Sequence, residues 1–293
     1  MYGRMETILV YRGRPITRGD IEFIRKLIQD NPDDHRTALS RRICQIWNWN
    51  QTNGYHKDMV CRGLLLRLEA EGHIKLPSKR TGGGGRHTTA PTPVTVDQSP
   101  VSSDISSLAP ISIHQVRRTP LENLHDGLLA QFHYLGYTRP VGEHLKYLAF
   151  AHGRPIACFT WSSSPRHIGC RDRYIGWDAR RRRKNIHLLA YNTRFLVLPW
   201  IDAHCLASHL LSRMARILCR DWQSLYAHPV YWLDTFVDTD LFRGTCYKAA
   251  GWTHLGQTTG RGKNDLTHKP NRSIKAVWGY PLRRDFRQRL CHE

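Results

Sequence analysis

Acidic residues are scarce in this 293-residue chain, with 24 Asp and Glu against 44 Lys and Arg, a net charge of +20. A surplus of that size costs self-repulsion and persists where an anionic partner neutralises it, which makes nucleic acid the leading partner class. Long apolar runs are missing too. Stretches such as Phe195 to Pro199 are far too short to span a bilayer, and no basic amphipathic helix with a bulky apolar face stands alone, which argues against a membrane partner. Met1 to Gly19 mixes charges throughout and lacks the apolar core of a signal peptide. The eight cysteines (44, 61, 158, 170, 205, 219, 246 and 291) are scattered singly, with no Cys-x-x-Cys or Cys/His pair at zinc spacing. Buried, reduced thiols in a cytoplasmic protein are the expectation. The 17 histidines are equally dispersed and read as surface or capping residues.

What is present begins with three helical patterns. Thr17 is the expected N-cap of a helix to Asp30, with Ile21, Ile24, Leu27 and Ile28 on one side and Asn31-Pro32 as the stop. Thr37 to Trp47 should bury Leu39, Ile43, Ile46 and Trp47. Lys57 to Glu71 should turn Met59, Leu64, Leu65 and Leu68 inward and Arg62 and Arg67 outward, and His73 to Pro77 should form a short strand. Three helices and a strand, with basic residues on the third helix, describe a winged helix-turn-helix. In that reading Lys57, Arg62 and Arg67 face the groove and backbone of DNA, and Lys75, Lys79, Arg80 and Arg86 form a wing on the phosphates. The competing reading is a small helical interaction domain with solvated charges.

Composition then changes. Gly82 to Gly85 is a glycine run, and Thr88 to Pro110 is rich in Pro, Ser and Thr. Such a stretch cannot bury enough surface to order itself and is expected to be a flexible linker over 82–110. From Ile111 the chain reads as strand (111–116), helix (121–135) and two strands (145–150 and 156–161) joined by a hairpin at His152-Gly153-Arg154-Pro155. A βαβα unit follows: an apolar strand ending at Pro199, a helical run to Trp222, the strand Tyr231 to Asp238 and a short helix near Tyr247. The expected fold class is therefore α/β (α+β), with residues 1–81 as the winged helix and 111–293 as a mixed-sheet domain.

The element order from residue 111 resembles the N-acyltransferase (GNAT) fold. That resemblance implies a glycine-rich turn after the Leu-x-Val-x-Pro strand, where backbone amides at a helix start hold the coenzyme A pyrophosphate. Here Phe195-Leu-Val-Leu-Pro199 is followed by Trp200-Ile-Asp-Ala-His-Cys-Leu-Ala207. Glycine is absent, and Asp202 brings a negative charge, read more simply as a helix N-cap. Coenzyme A binding and acyl transfer are accordingly not expected.

A second resemblance runs through nearly the whole chain. Arg171-Asp-Arg-Tyr-Ile-Gly-Trp177, Asn192 to Trp200, Leu206-Ala-Ser208, Asp221-Trp222, Thr235-Phe-Val-Asp238, Gly244 to Trp252 and Gly260-Arg-Gly-Lys263 look like the signature blocks of the DruA family. That family is named for a component of the Druantia anti-phage defence system, and similar proteins occur near mobile elements. The resemblance implies a DNA-directed role, with other defence or mobile-element proteins as partners. One departure stands out. The family strand motif usually carries Glu where this chain has Asp234, and the shorter side chain retracts a carboxylate by about 1.5 Å.

The chemistry-bearing candidates follow from the scarcity of acids. The pleat puts Trp232, Asp234, Phe236 and Asp238 on one strand face. Two carboxylates there are costly to bury unless paired or metal-bound. One arrangement has Asp172, Asp234 and Asp238 converge on Mg2+ or Mn2+ for phosphodiester cleavage or transfer, as in a nuclease or transposase. The competing arrangement pairs Asp234 with Arg194 and has Asp172 cap a turn. Tyr226 and Tyr247 are candidate nucleophiles, with Arg194, Lys248 and Arg261 as oxyanion partners, although aromatic core packing is the commoner role. Gly260-Arg-Gly-Lys263 is a basic turn suited to a phosphate. Finally, Arg166 to Lys184 holds eight basic and two acidic residues, among them Arg171, Arg173 and the unbroken run Arg180, Arg181, Arg182, Arg183 and Lys184. Such a run suits a phosphate backbone, duplex, single-stranded or branched, with Tyr174 and Trp177 placed to stack on unpaired bases.

Overall fold

The computed structural model describes residues 7–11, 14–50, 56–78, 91–260 and 273–292. The chain divides into two compact units, residues 1–87 with 220–229, and residues 88–219 with 230–293.

In the smaller unit the three expected helices form: α1 (Arg18–Asp30), α2 (Arg36–Ile46) and α3 (Asp58–Ala70). Thr17 caps α1 as its sequence suggests. Its hydroxyl accepts from the Asp20 amide at 3.2 Å while the Asp20 carboxylate accepts from the Thr17 amide at 2.9 Å, a reciprocal box that satisfies two orphan donors. Ile24, Leu39, Ile43, Leu64 and Leu68 are fully buried, so helical periodicity locates the core. Ile46 is the exception, 57% exposed at the last turn of α2.

Two features differ from expectation. The small sheet lies at the N-terminus, where β1 (Thr7–Tyr11) pairs antiparallel with β2 (Arg14–Thr17). His73 to Pro77 forms no strand. Side chains take its backbone groups instead: Arg25 donates to the His73 carbonyl, Arg36 to the Pro77 carbonyl, and Glu69 accepts from the Leu76 amide. With those groups engaged and Ile74 and Leu76 buried, the segment is anchored without a partner strand. Lys79, Arg80 and Arg86 lie outside the described residues.

The larger unit is built on one seven-stranded mixed sheet, in the order β10-β11-β9-β7-β6-β5-β4. Its strands are β4 (Ile111–Gln115), β5 (His144–Ala151), β6 (Arg154–Ser163), β7 (Leu189–Val197), β9 (Trp232–Asp238), β10 (Thr253–Gln257) and β11 (Lys275–Pro281). The hairpin at 152–153 turns with positive φ at His152 and Gly153, as its sequence suggests. The crossover helix α7 (Leu206–Tyr226) returns the chain so that β9 enters parallel to β7. That is the one parallel pair in the sheet. Strands β10 and β11 were not anticipated. β11 pairs with β9 over all seven residues, which makes β9 an interior strand and explains its nearly continuous burial.

Residues 91–110 correct the linker expectation. Val101–Ser102 (β3) pairs parallel with Ile201–Asp202 (β8), Leu108 is buried, Arg154 donates to the carbonyls of Asp97 and Ser99, and the Val94 amide donates to Gln131. The segment has too few apolar residues to order itself. It borrows order from a surface already folded. Asp202 consequently sits in β8 and does not cap α7. Among the described residues, no helix is long and apolar enough to cross a membrane.

On the β5 side of the sheet, α4 (Glu122–Phe132) covers a buried cation. Lys146 donates to Glu122 at 2.8 Å and to both oxygens of Asp126 at 2.7 Å. Burial pushes both carboxyls up, but their hydrogen bonds and the adjacent ammonium outweigh it and hold them below the usual carboxylate range. Lys146→Met should cost about 3–5 kcal/mol, because two carboxylates lose their counter-charge. The pH dependence has a definite sign. Depressed folded-state pKa values give stability that is complete above the ordinary values of 4.5 and 3.8 and lost as pH falls through the folded ones. Urea titrations at pH 7 and pH 3 check both: the variant's deficit should shrink at the lower pH.

Candidate nucleic-acid interface

Short helices α5 (Gly169–Ile175) and α6 (Ala179–Asn185) carry the basic block between β6 and β7. Gly176 ends α5 in the left-handed region at φ 87°, a conformation glycine adopts freely, and Asp178 caps α6 by accepting from the Arg181 amide at 2.7 Å. The last turn of α6 is basic, which suits the negative end of a helix.

What fixes α5 is a buried ion network. Arg171, with no exposed surface, donates through Nε and Nη2 to Asp172 Oδ1 at 2.9 and 2.8 Å, and through Nη1 to Asp234 Oδ2 at 3.0 Å. Nη1 also reaches the Ser164 hydroxyl at 2.7 Å and the Pro165 carbonyl at 3.0 Å. Asp234, at the centre of β9, further accepts from the Trp232 indole at 2.6 Å and from Ser164. Asp172 accepts from the Trp177 indole at 3.0 Å and from Arg182 at 3.3 Å. Each carboxylate is thus charge-compensated and hydrogen-bonded, the condition under which burial is tolerated.

This geometry settles how the sequence-predicted residues group. Asp172 and Asp234 come together, but around a guanidinium. Asp238 stands four residues further along β9, about 13 Å away at strand rise, where it accepts from Ser273 at 2.8 Å and faces Lys275 at 3.8 Å. The three carboxylates therefore do not converge, and no cluster of three or more His, Cys, Asp or Glu among the described residues could hold a metal ion. The partner of Asp234 is Arg171 and not Arg194, which donates to the carbonyls of Gly136 and Thr193 and to the Thr138 hydroxyl. Tyr247 is buried, and burial pushes its phenol up. Its hydroxyl donates to Asn192 Oδ1 at 3.0 Å, so it packs as a neutral core residue and not as a nucleophile. Tyr226 is likewise buried, its ring tilted against that of Trp222 at 5.1 Å. Lys248 is exposed on α8 (Thr245–Ala249). Arg261 and Lys263 lie outside the described residues.

The basic block divides in two. Arg171 faces inward and cannot reach a phosphate, and Arg182 and Arg181 are tied to Asp172 and Asp178. Arg173, Arg180, Arg183 and Lys184 are exposed, and none of the four forms an ion pair with another described residue. The aromatic stacking expectation is corrected. Trp177 is buried on Asp172, and Tyr174 lies between Trp232 and Phe286 with Arg287 over its ring at 4.7 Å. In the smaller unit, Arg62 and Arg67 face outward from α3 but pair with Asp58 at 3.8 Å and Glu71 at 2.8 Å, and Lys57 is half-buried, which lowers its pKa.

The partners missed by sequence reasoning are Trp232 and Ser164. Trp232 was legible in part, since it shares a strand face with Asp234 at i−2. Ser164 is brought in only by the end of β6.

Residues 69–287 match the family model described as Druantia protein DruA. Among solved structures, the chain is similar to the ribosomal-protein-S18-alanine N-acetyltransferase from Escherichia coli (12% identity, 59% of this chain and 94% of that one, TM-score 0.36). It is also similar to an acetyltransferase of the GNAT family from Streptococcus pneumoniae (12%, 58% and 98%, TM-score 0.38) and an N-acetyltransferase from Staphylococcus aureus (14%, 60% and 100%, TM-score 0.38). The comparison with curated proteins gives no match.

Two substitutions probe the network. Arg171→Met strands two buried carboxylates and should cost about 3–5 kcal/mol in urea unfolding. Gly279→Ala places a Cβ against the Trp232 ring that reaches Asp234, and should cost about 1–3 kcal/mol with a changed near-ultraviolet tryptophan signal. An unaltered signal would mean that the indole is not held there.

Proposed function

The chain belongs to the family of the Druantia protein DruA, and from that premise we propose that it is a DNA-binding component of phage defence or DNA mobility. One observation carries the reading. In a chain of net charge +20, four exposed cations of α5 and α6, Arg173, Arg180, Arg183 and Lys184, form no ion pair among the described residues, while Asp172 and Asp234 are turned inward and the exposed Asp178 is taken by Arg181. Like charges held together on two short helices repel unless an outside anion neutralises them, and a phosphate backbone supplies that anion at regular spacing.

Family membership ties the chain to Druantia defence, so other defence components are natural partners alongside DNA. The smaller unit would add a second contact through α3, where Arg62 and Arg67 remain partly exposed: Arg67 can exchange Glu71 for a phosphate, and Arg62 can reach a base edge while still compensating the buried Asp58. The exposed Arg67–Glu71 pair is worth only about 0.3–0.5 kcal/mol and yields easily to a polyanion.

The test is binding to duplex, single-stranded and branched oligonucleotides across a salt series, with and without magnesium. Replacing Arg180, Arg183 and Lys184 together by Ala should weaken binding to all substrates alike and reduce the salt slope by roughly one for each phosphate no longer neutralised. Arg62→Ala should instead change the ranking of duplex sequences. An unchanged salt slope in the triple variant would exclude α6 from the interface.

A further inference from the structure

β7 and β9 pair parallel only from Leu189↔Trp232 to Asn192↔Thr235, although β7 runs on to Val197 and β9 to Asp238. The cause is local. Against β6, Trp161 partners Asn192 and Thr160 partners Arg194, so Thr193 is an extra residue that bulges β7 and turns it away from β9. The divergence opens a cavity of about 420 Å3 between the two strands. That lies within the roughly 300–1,000 Å3 of small-molecule sites.

Its lining has a particular chemistry. Tyr191 and Phe236 stand 5.0 Å apart on the two strands, and Phe195 lies edge-on to Tyr247 at 6.5 Å. At the lining also sit Tyr134 and Phe242, in edge contact at 5.3 Å yet 46% and 51% exposed. Two large aromatic side chains left in solvent beside a cavity mark a ligand surface. Polar groups are interspersed: His133, Thr193 and Thr245, together with Thr235 and the Tyr247 hydroxyl, which donates to the Asn192 amide oxygen. Two cations complete it, Arg243 in solvent and Lys275 beside Asp238.

We propose that this cavity receives one unstacked nucleobase from a DNA strand, the inference resting on the DNA-binding reading above. A base is flat and apolar on both faces and polar at its edge, which matches aromatic walls with a few polar groups among them. Its own backbone brings phosphates to the two cations at the lining. A bare acyl chain would suit the aromatics but leave those cations unused. A coenzyme A pyrophosphate would need free amides after β7, where Ile201–Asp202 is instead paired with Val101–Ser102 and the Ile201 amide is bonded to Leu198.

The experiment compares a single-stranded oligonucleotide with an abasic strand of the same length and charge, by fluorescence anisotropy at matched salt. The full-length protein should bind the base-bearing strand about tenfold more tightly, a typical stacking contribution for one base. Phe242→Ala and Tyr134→Ala, both at exposed positions that folding tolerates, should each erase most of that preference while leaving affinity for the abasic strand and its salt slope unchanged. Equal wild-type affinity for the two strands, or a preference that survives both substitutions, overturns the base pocket and leaves the DNA reading standing. Absence of binding to either strand at low ionic strength overturns the DNA reading itself. Saturable binding of acetyl-coenzyme A that is abolished in Phe242→Ala also overturns the base pocket and reassigns the cavity to a thioester.

Discussion

A single buried guanidinium governs the basic face of this protein. Arg171 must place its donors away from water, and all three of its nitrogens find acceptors, among Asp172, Asp234, Ser164 and the Pro165 carbonyl. Those partners come from α5, from the interior strand β9 and from the end of β6, so the contact welds a short helix to the sheet. A seven-residue helix has little stability of its own in water. Its position, and that of α6 after the tight turn at Gly176, is set by this tertiary ion network.

The same network explains how a chain with few acids produces an open basic surface. Asp172, Asp234 and Asp238, like Glu122 and Asp126 around Lys146, are spent on cations or hydroxyls within the fold. Acids placed inward compensate the charges that folding must bury. The cations left on α5 and α6 then face solvent with little to oppose them, and the field they produce extends about a Debye length at physiological salt. The arrangement is consistent with a partner that supplies its own negative charge.

Legibility from the sequence varied with the range of the interaction involved. The N-cap at Thr17, the hairpin at 152–153 and the parallel β7–β9 pair rest on neighbours within a few residues or on strong periodicity, and all were readable. Strands β10 and β11 are separated by residues 258–274, and β11 is identified as a strand mainly by its register along β9. Residues 91–110 look like a linker because their composition supports no core, yet they are ordered through β8, Gln131 and Arg154. The pleat correctly grouped Trp232 with Asp234, but the pairing of Asp234 with Arg171 spans 63 positions. A choice between Arg171 and Arg194 had no local signal to decide it.

By itself, then, the sequence determined the quantities that are local or summed: the net charge of +20, the helical and strand periods, the run of elements from β4 through β9 to α8 in outline and the blocks that mark the family. Tertiary structure alone decided which charges meet. Whether a carboxylate binds a metal, caps a turn or clasps an arginine depends on ångström-scale distances between segments far apart in the chain. Those distances are fixed only when the sheet has closed around β9 and water has been excluded from Arg171.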